Sequence, residues 1–139
     1  MPPMAAQDYS AANDWSGYFK AILGKGPRET LLSALDSFGQ EGLVNGFAVD
    51  LAAGEGRDTL KLLHRGWKVL ATDSHPEAFQ HLWARVAEGS RSRLSTAKVS
   101  FAQTQIPACD LVNASYALPF CEPSHFDGLW KKVVTAIRP

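Results

Sequence analysis

Asp50 and Asp73 stand at the ends of two short apolar runs, and the first of them is followed at once by a glycine-pinched turn, Leu51-Ala52-Ala53-Gly54-Glu55-Gly56. Residues of these types in this order suit a nucleotide cofactor. A carboxylate accepts hydrogen bonds from both vicinal hydroxyls of a ribose, which a neutral side chain does less well. Gly54 and Gly56 let the backbone bend sharply and approach a ligand closely. Phe47-Ala48-Val49 supplies a buried strand before the turn, and Asp58-Thr59-Leu60-Lys61-Leu62-Leu63 begins a helix after it. Turns of this form sit at the carboxyl ends of parallel strands, where open α/β sheets bind ligands.

Spacing narrows the cofactor. A dinucleotide fingerprint places a third glycine inside the helix for close helix–strand packing, and here that position is Thr59. A nicotinamide-binding domain is therefore disfavoured. After the helix, Arg65-Gly66 reads as a stop, and Trp67-Lys68-Val69-Leu70-Ala71-Thr72-Asp73 reads as a second buried strand ending in an acid. Each feature also has a plain structural reading. Glycine turns between strands and helices are common, Asp50 suits a turn, and Asp73 suits the start of the helix that follows at Ser74-His75-Pro76-Glu77. The repetition of strand, acid and helix favours the functional reading.

The elements that must position these residues follow from the apolar periodicity. Asp8 to Leu23, with Tyr9, Trp15, Tyr18 and Phe19, is expected to be a helix ended by Gly24-Lys25-Gly26, and a second is expected from Pro27 to Phe38 with Leu31, Leu32, Leu35 and Phe38 at helical spacing. Pro76 to about Glu88 is expected as a helix with Ala78, Phe79, Leu82 and Val86 on its core stripe. Gly89 to Ser95 reads as a polar loop containing solvated Arg91 and Arg93, with Val99-Ser100-Phe101-Ala102 as the third strand. Ser124 and Asp127 have the spacing of a capping box, and Trp130, Val133, Val134 and Ile137 continue the apolar side of the last helix.

The form Asp-x-Ala-x-Gly-x-Gly at residues 50–56 resembles motif I of class I S-adenosylmethionine-dependent methyltransferases, with Ala52 where that family usually has glycine. Asp73 matches the family's ribose acid. Ala108-Cys109-Asp110-Leu111-Val112-Asn113-Ala114-Ser115-Tyr116-Ala117-Leu118-Pro119-Phe120 resembles its motif IV strand and loop. The resemblance implies a Rossmann-like three-layer α/β/α fold with a mainly parallel sheet in strand order 3-2-1-4. It implies cofactor contacts from Asp50, Ala52, Gly54, Gly56, Arg57, Asp73, Ser74, Gln103 (or Gln105, for adenine) and Asn113, and acceptor-facing catalytic roles for Tyr116 and Asn113. His75 and His125 are further polar candidates for a base, and the aromatic N-terminal helix is similar to segments that fold over the cofactor as a lid. The implied activity is methyl transfer to a small molecule, in the manner of the tellurite-resistance and thiopurine enzymes, the alternative being a cofactor-binding module without turnover.

The chain of 139 residues carries equal numbers of acidic and basic side chains, with no basic stripe to suit a nucleic-acid backbone. It has no long apolar run for a membrane span, a secretory leader is not expected from its first residues, and Cys109 and Cys121 fit neither a disulfide framework nor a zinc site. A single cytoplasmic domain is the expectation, with a helical cap over 1–45 and a βα core over 46–139. Family domains continue into further strands, so truncation after the fourth helix is expected to leave the fourth strand as an exposed edge through which the chain associates with itself or with a partner.

Overall fold

The computed structural model describes residues 29–54, 56–114 and 123–138. Helix α1 (Glu29–Gln40) precedes strand β1 (Phe47–Asp50), helix α2 (Arg57–His64) and strand β2 (Lys68–Asp73). Helix α3 (Pro76–Arg85), a 3-10 segment (Glu88–Arg93) and strand β3 (Leu94–Lys98) follow, then strand β4 (Leu111–Asn113) and helix α4 (Pro123–Ala136). The four strands form one parallel sheet in the order β3-β2-β1-β4. The expected N-terminal helix, with Trp15 and Tyr18, lies outside the described residues.

Alternation along the strands divides the interior into two cores. Ala48, Val69, Ala71 and Leu111 face one side, where they pack with Leu31 and Leu35 of α1, Leu62 and Leu63 of α2, Leu82 of α3 and Trp67. Phe47, Val49, Leu70 and Val112 face the other, against Leu129, Val133 and Ala136 of α4 with Cys109, Phe101 and Ile106. Each fully buried leucine contributes about 1.5–3 kcal/mol. Burial, with the neighbouring Asp110 carboxylate, pushes the Cys109 thiol up from its ordinary value, which keeps it protonated and inert.

Short connections fix the register that the site needs. Helix α2 stops in a Schellman turn: Gly66, at φ 89°, donates to Leu63 O at 3.0 Å while Trp67 N donates to Leu62 O at 3.0 Å. The chain then enters β2 directly, pairing Phe47–Asp50 with Lys68–Ala71. Arg93 is more than a solvated loop cation, because its guanidinium donates to the carbonyls of Leu63 and Trp67, each at 2.9 Å, and so ties the 3-10 segment to the end of α2. Arg91 lies over the Trp83 ring at 5.5 Å.

Several elements depart from the periodicity reading. Strand β3 is Leu94–Lys98, and the more apolar Val99-Ser100-Phe101-Ala102 turns away from the sheet. Ser100 and Gln103 bind each other's backbone N–H groups, at 3.3 and 3.4 Å, in the reciprocal pattern expected of Ser124 and Asp127. Ser124 instead already lies inside α4, which includes Pro123. Helix α3 ends at Arg85, before Glu88. On α4, Val133 is buried, whereas Trp130 and Val134 are exposed, as is Ile137 just beyond the helix, and Phe126 and Trp130 stack at 6.4 Å. Leu129, Val133 and Ala136 share the sheet-facing stripe, so the helical period turns Trp130 and Val134 aside. After α4 the chain returns alongside β4, where Cys109 N donates to Ala136 O at 3.0 Å and Arg138 N to Cys109 O at 2.9 Å, so the start of that sheet edge is covered.

Two pairs of glycine–alanine exchanges test this packing. A methyl at Gly46 would lie 2.6–3.0 Å from three atoms of the Trp67 ring, whereas at Gly39, within α1, it meets nothing within 4 Å. Denaturant unfolding is expected to show Gly46→Ala destabilised by about 1–3 kcal/mol and Gly39→Ala stabilised by about 0.5–1 kcal/mol. In the turn after β1, Gly56 sits at φ 91° with its absent methyl 2.3 Å from Leu82 Cδ1, and Ala52 sits at φ 51°. Gly56→Ala is expected to cost more than about 2 kcal/mol, while Ala52→Gly relieves about 1–2 kcal/mol of left-handed strain, partly offset by the freedom glycine adds to the unfolded chain. An Ala52→Gly variant less stable than the parent would contradict the backbone geometry.

Candidate functional site

The carboxyl ends of β1, β2 and β4 converge, and their terminal residues Asp50, Asp73 and Asn113 are all buried. Asp50 and Asn113 are paired positions on neighbouring strands, so their side chains leave the sheet on the same face. That face carries α2, whose first turn brings Asp58 and Thr59 to the same place. Thr59 Oγ1 donates to Asp50 Oδ2 at 2.6 Å, and Asn113 Nδ2 donates to Asp50 Oδ1 at 2.9 Å and to Asp58 Oδ2 at 3.0 Å. These four side chains are only 0–8 % exposed (Thr59 0 %, Asp50 2 %, Asp58 5 %, Asn113 8 %), so the donors compensate the removal of two carboxylates from water.

Asp73 closes the second side of the site. Its Oδ2 accepts from Gly54 N at 3.0 Å, and its Oδ1 accepts from His75 N at 2.9 Å with His75 Nδ1 at 3.2 Å. The bond to Gly54 joins the glycine turn to the acid at the tip of β2 across the sheet, and Ala53 N reinforces it by donating to Thr72 O at 2.8 Å. A carboxylate has about four lone-pair positions, so backbone donors on both oxygens leave acceptor capacity for ligand hydroxyls. Ser74, next in the chain, is exposed at the rim, and its Oγ lies 3.2 Å from His75 Nδ1.

Between these acids the turn is shaped for close backbone approach. Gly54 and Gly56 both have positive φ, and Ala52 is the one non-glycine described residue that does. A glycine at position 52 would relax there, so the methyl costs local strain. Gly56 is also the residue immediately before α2, and the Leu82 side chain fills the space where a side chain would project. Arg57 opens α2 and is half-buried.

Structure and sequence reading differ in three respects. Thr59, noted in the sequence for the glycine it replaces, supplies the hydroxyl that holds Asp50. Asp58, counted there only as a helix residue, shares the Asn113 amide. Gln103 is exposed and folds back on Ser100, because the strand before it ends at Lys98 and places it within a turn. Gln105 is likewise exposed, and His125 is exposed near the start of α4. Tyr116 and Glu55 lie outside the described residues. Among the described residues no three His, Cys, Asp or Glu side chains group to hold a metal ion, and no helix is long and apolar enough to cross a membrane.

Proteins of known structure share the fold. The fold is shared with 1,6-didemethyltoxoflavin-N1-methyltransferase from Burkholderia thailandensis, solved with 1,6-didemethyltoxoflavin and S-adenosylhomocysteine, at TM-score 0.68 and 21% identity over 100% of this chain and 62% of that one. It is shared with the glycopeptide N-methyltransferase MtfA in complex with S-adenosyl-L-methionine, at TM-score 0.62 and 20% identity over 84% of this chain and 52% of that one. TehB from Haemophilus influenzae matches at TM-score 0.66 and 19% identity, over 89% of this chain and 42% of that one. The chain thus spans 42–62% of the length of these three proteins. No curated relative matches the sequence. Residues 48–139, which hold β1 from Ala48 onward and every strand tip of the site, match the family described as Methyltransferase domain. The chain belongs to that family, a Rossmann-like group whose cofactor is S-adenosylmethionine.

Proposed function

We propose that this chain binds S-adenosylmethionine at the tips of β1, β2 and β4 and takes part in methyl transfer to a small-molecule acceptor. The observation that carries the reading is the bond from Gly54 N to Asp73 Oδ2, which makes the glycine turn and the strand-tip acid one unit. The residues fit the cofactor. Asp73 is a buried carboxylate with acceptor capacity to spare for a ribose, and the positive-φ backbone at Gly54, which carries no side chain, suits close approach of a ligand. Asp50, Arg57 and Ser74 complete the proposed contacts, with Gln103 the weakest in geometry because its amide is folded onto Ser100.

When bound, S-adenosylmethionine supplies a methyl group on a positively charged sulfur, already activated for transfer to a nucleophile. The chain's own task is then to bind, align and exclude water, and no strong acid–base pair is required. Tyr116 remains the proposed acceptor-facing residue. Asn113 has both N–H groups of its amide turned toward Asp50 and Asp58, so its proposed part is to position the strand tips. A small-molecule acceptor is supported by the 1,6-didemethyltoxoflavin-N1-methyltransferase, whose match covers 100% of this chain. The second reading, a module that holds S-adenosylmethionine or S-adenosylhomocysteine without turnover, is favoured by Ala52, whose methyl stands on the turn at φ 51° beside two glycines. Association of the chain with itself or a partner through the part of the β4 edge beyond Cys109 belongs to the same proposal, and a light-scattering mass of one chain at micromolar concentration would remove it.

Calorimetric titration with S-adenosylmethionine and S-adenosylhomocysteine tests the site. The parent is expected to bind both saturably, and Asp73→Ala to weaken binding at least about tenfold, since a hydrogen bond to a charged group contributes roughly 1.5–3 kcal/mol. Equal affinity in parent and variant would contradict the assignment. Transfer of labelled methyl to a candidate acceptor separates the enzyme from the binding module.

A further inference from the structure

We propose that Asp58 is a positioning residue of the turn between β1 and α2, shaping the cofactor site through Asn113 without touching the ligand; its functional meaning rests on the reading above. The turn leaves the sheet at Asp50 and rejoins the fold at Asp58 and Thr59. Its neck is bridged twice. One bridge is direct, from Thr59 Oγ1 to Asp50 Oδ2 at 2.6 Å. The other runs through a third element, because Asn113 Nδ2 on β4 reaches Asp50 Oδ1 at 2.9 Å and Asp58 Oδ2 at 3.0 Å.

The second bridge has a chemical logic that packing alone does not supply. Two carboxylates in one buried place repel, and a donor shared between them offsets that cost. Ionised carboxylates accept and never donate, and an amide has one donor end and one acceptor end of nearly equal shape. Two acids on one side of Asn113 therefore hold its nitrogen toward the neck. With its side chain held, Asn113 presents its backbone carbonyl to Leu51 N, the first amide of the turn, at 2.8 Å. From there the order passes along the turn, to Ala53 N on Thr72 O at 2.8 Å and Gly54 N on Asp73 Oδ2 at 3.0 Å. Asp58 thus acts on Asp73 through β4 and the turn.

Amide hydrogen exchange of the free protein, with Asp58→Ala and Asp58→Asn beside the parent, reads this directly. In Asp58→Ala the amides of Ala53 and Gly54 are expected to exchange about tenfold faster while those of Val69 and Ala71, in the middle of β2, keep the parent rates; S-adenosylhomocysteine affinity is expected to fall about tenfold. Asp58→Asn keeps an acceptor oxygen and is expected to stay within about threefold of the parent in both measurements. Unchanged exchange at Ala53 and Gly54 in Asp58→Ala would overturn the proposal, as would equal acceleration at Val69 and Ala71, which marks a general loosening. A folded parent that fails to bind S-adenosylhomocysteine contradicts the cofactor reading instead, and the exchange rates still decide the role of Asp58.

Discussion

A carboxylate at the end of a buried strand stays there only if both oxygens receive donors, and the rest of this site depends on how that demand is met for Asp50. Two donors to it come from places far apart in sequence: a hydroxyl on the first turn of α2 and an amide at the tip of β4. Satisfying one side chain therefore locks three elements in register. The glycine turn between β1 and α2 inherits its neck from that lock, and its far side is held by Asp73, so the turn is defined at both margins before any ligand arrives.

The parallel sheet makes this arrangement possible. Strand tips of a parallel sheet all point one way, and the order β3-β2-β1-β4 puts β1 between the other two contributing strands. Residues 48, 69, 71 and 111 share one face by alternation, so Asp50, Asp73 and Asn113, two residues further along their strands, emerge toward the helix that packs there. The opposite face is filled by α4, whose Lys132 donates to the Thr104 carbonyl at 2.7 Å and ties the helix to the segment between β3 and β4.

Much of this was legible in the chain because the signals were local. An apolar run, an acid, two glycines and an amphipathic helix specify β1, the turn and α2, and the same grammar repeats at β2. The strand order came from the resemblance those residues carry. What failed to show depended on partners distant in sequence. Strand β3 is an edge strand in a polar stretch, Leu94-Ser95-Thr96-Ala97-Lys98, with only Leu94 buried, so its apolar content is lower than that of the turn after it. The roles of Thr59 and Asp58 arise only when β4 is laid beside β1, and nothing in the helix pattern announces them. A buried-face threonine and acid in the first turn of a helix that follows a strand-tip acid is the pattern that would have pointed there. Ala52 was visible as a departure from glycine, but its left-handed backbone was not.

The central claim is that the tips of β1, β2 and β4 form one preorganised cofactor site. Backbone amide NMR of the isotope-labelled chain, titrated with S-adenosylhomocysteine, tests it most directly. The account predicts saturable shifts confined to residues 51–58, 73–75 and 113–114, with the strand interiors Val69 and Leu70 unmoved. No shifts in a well-folded spectrum, or shifts centred on α4 or the 3-10 segment, would contradict it.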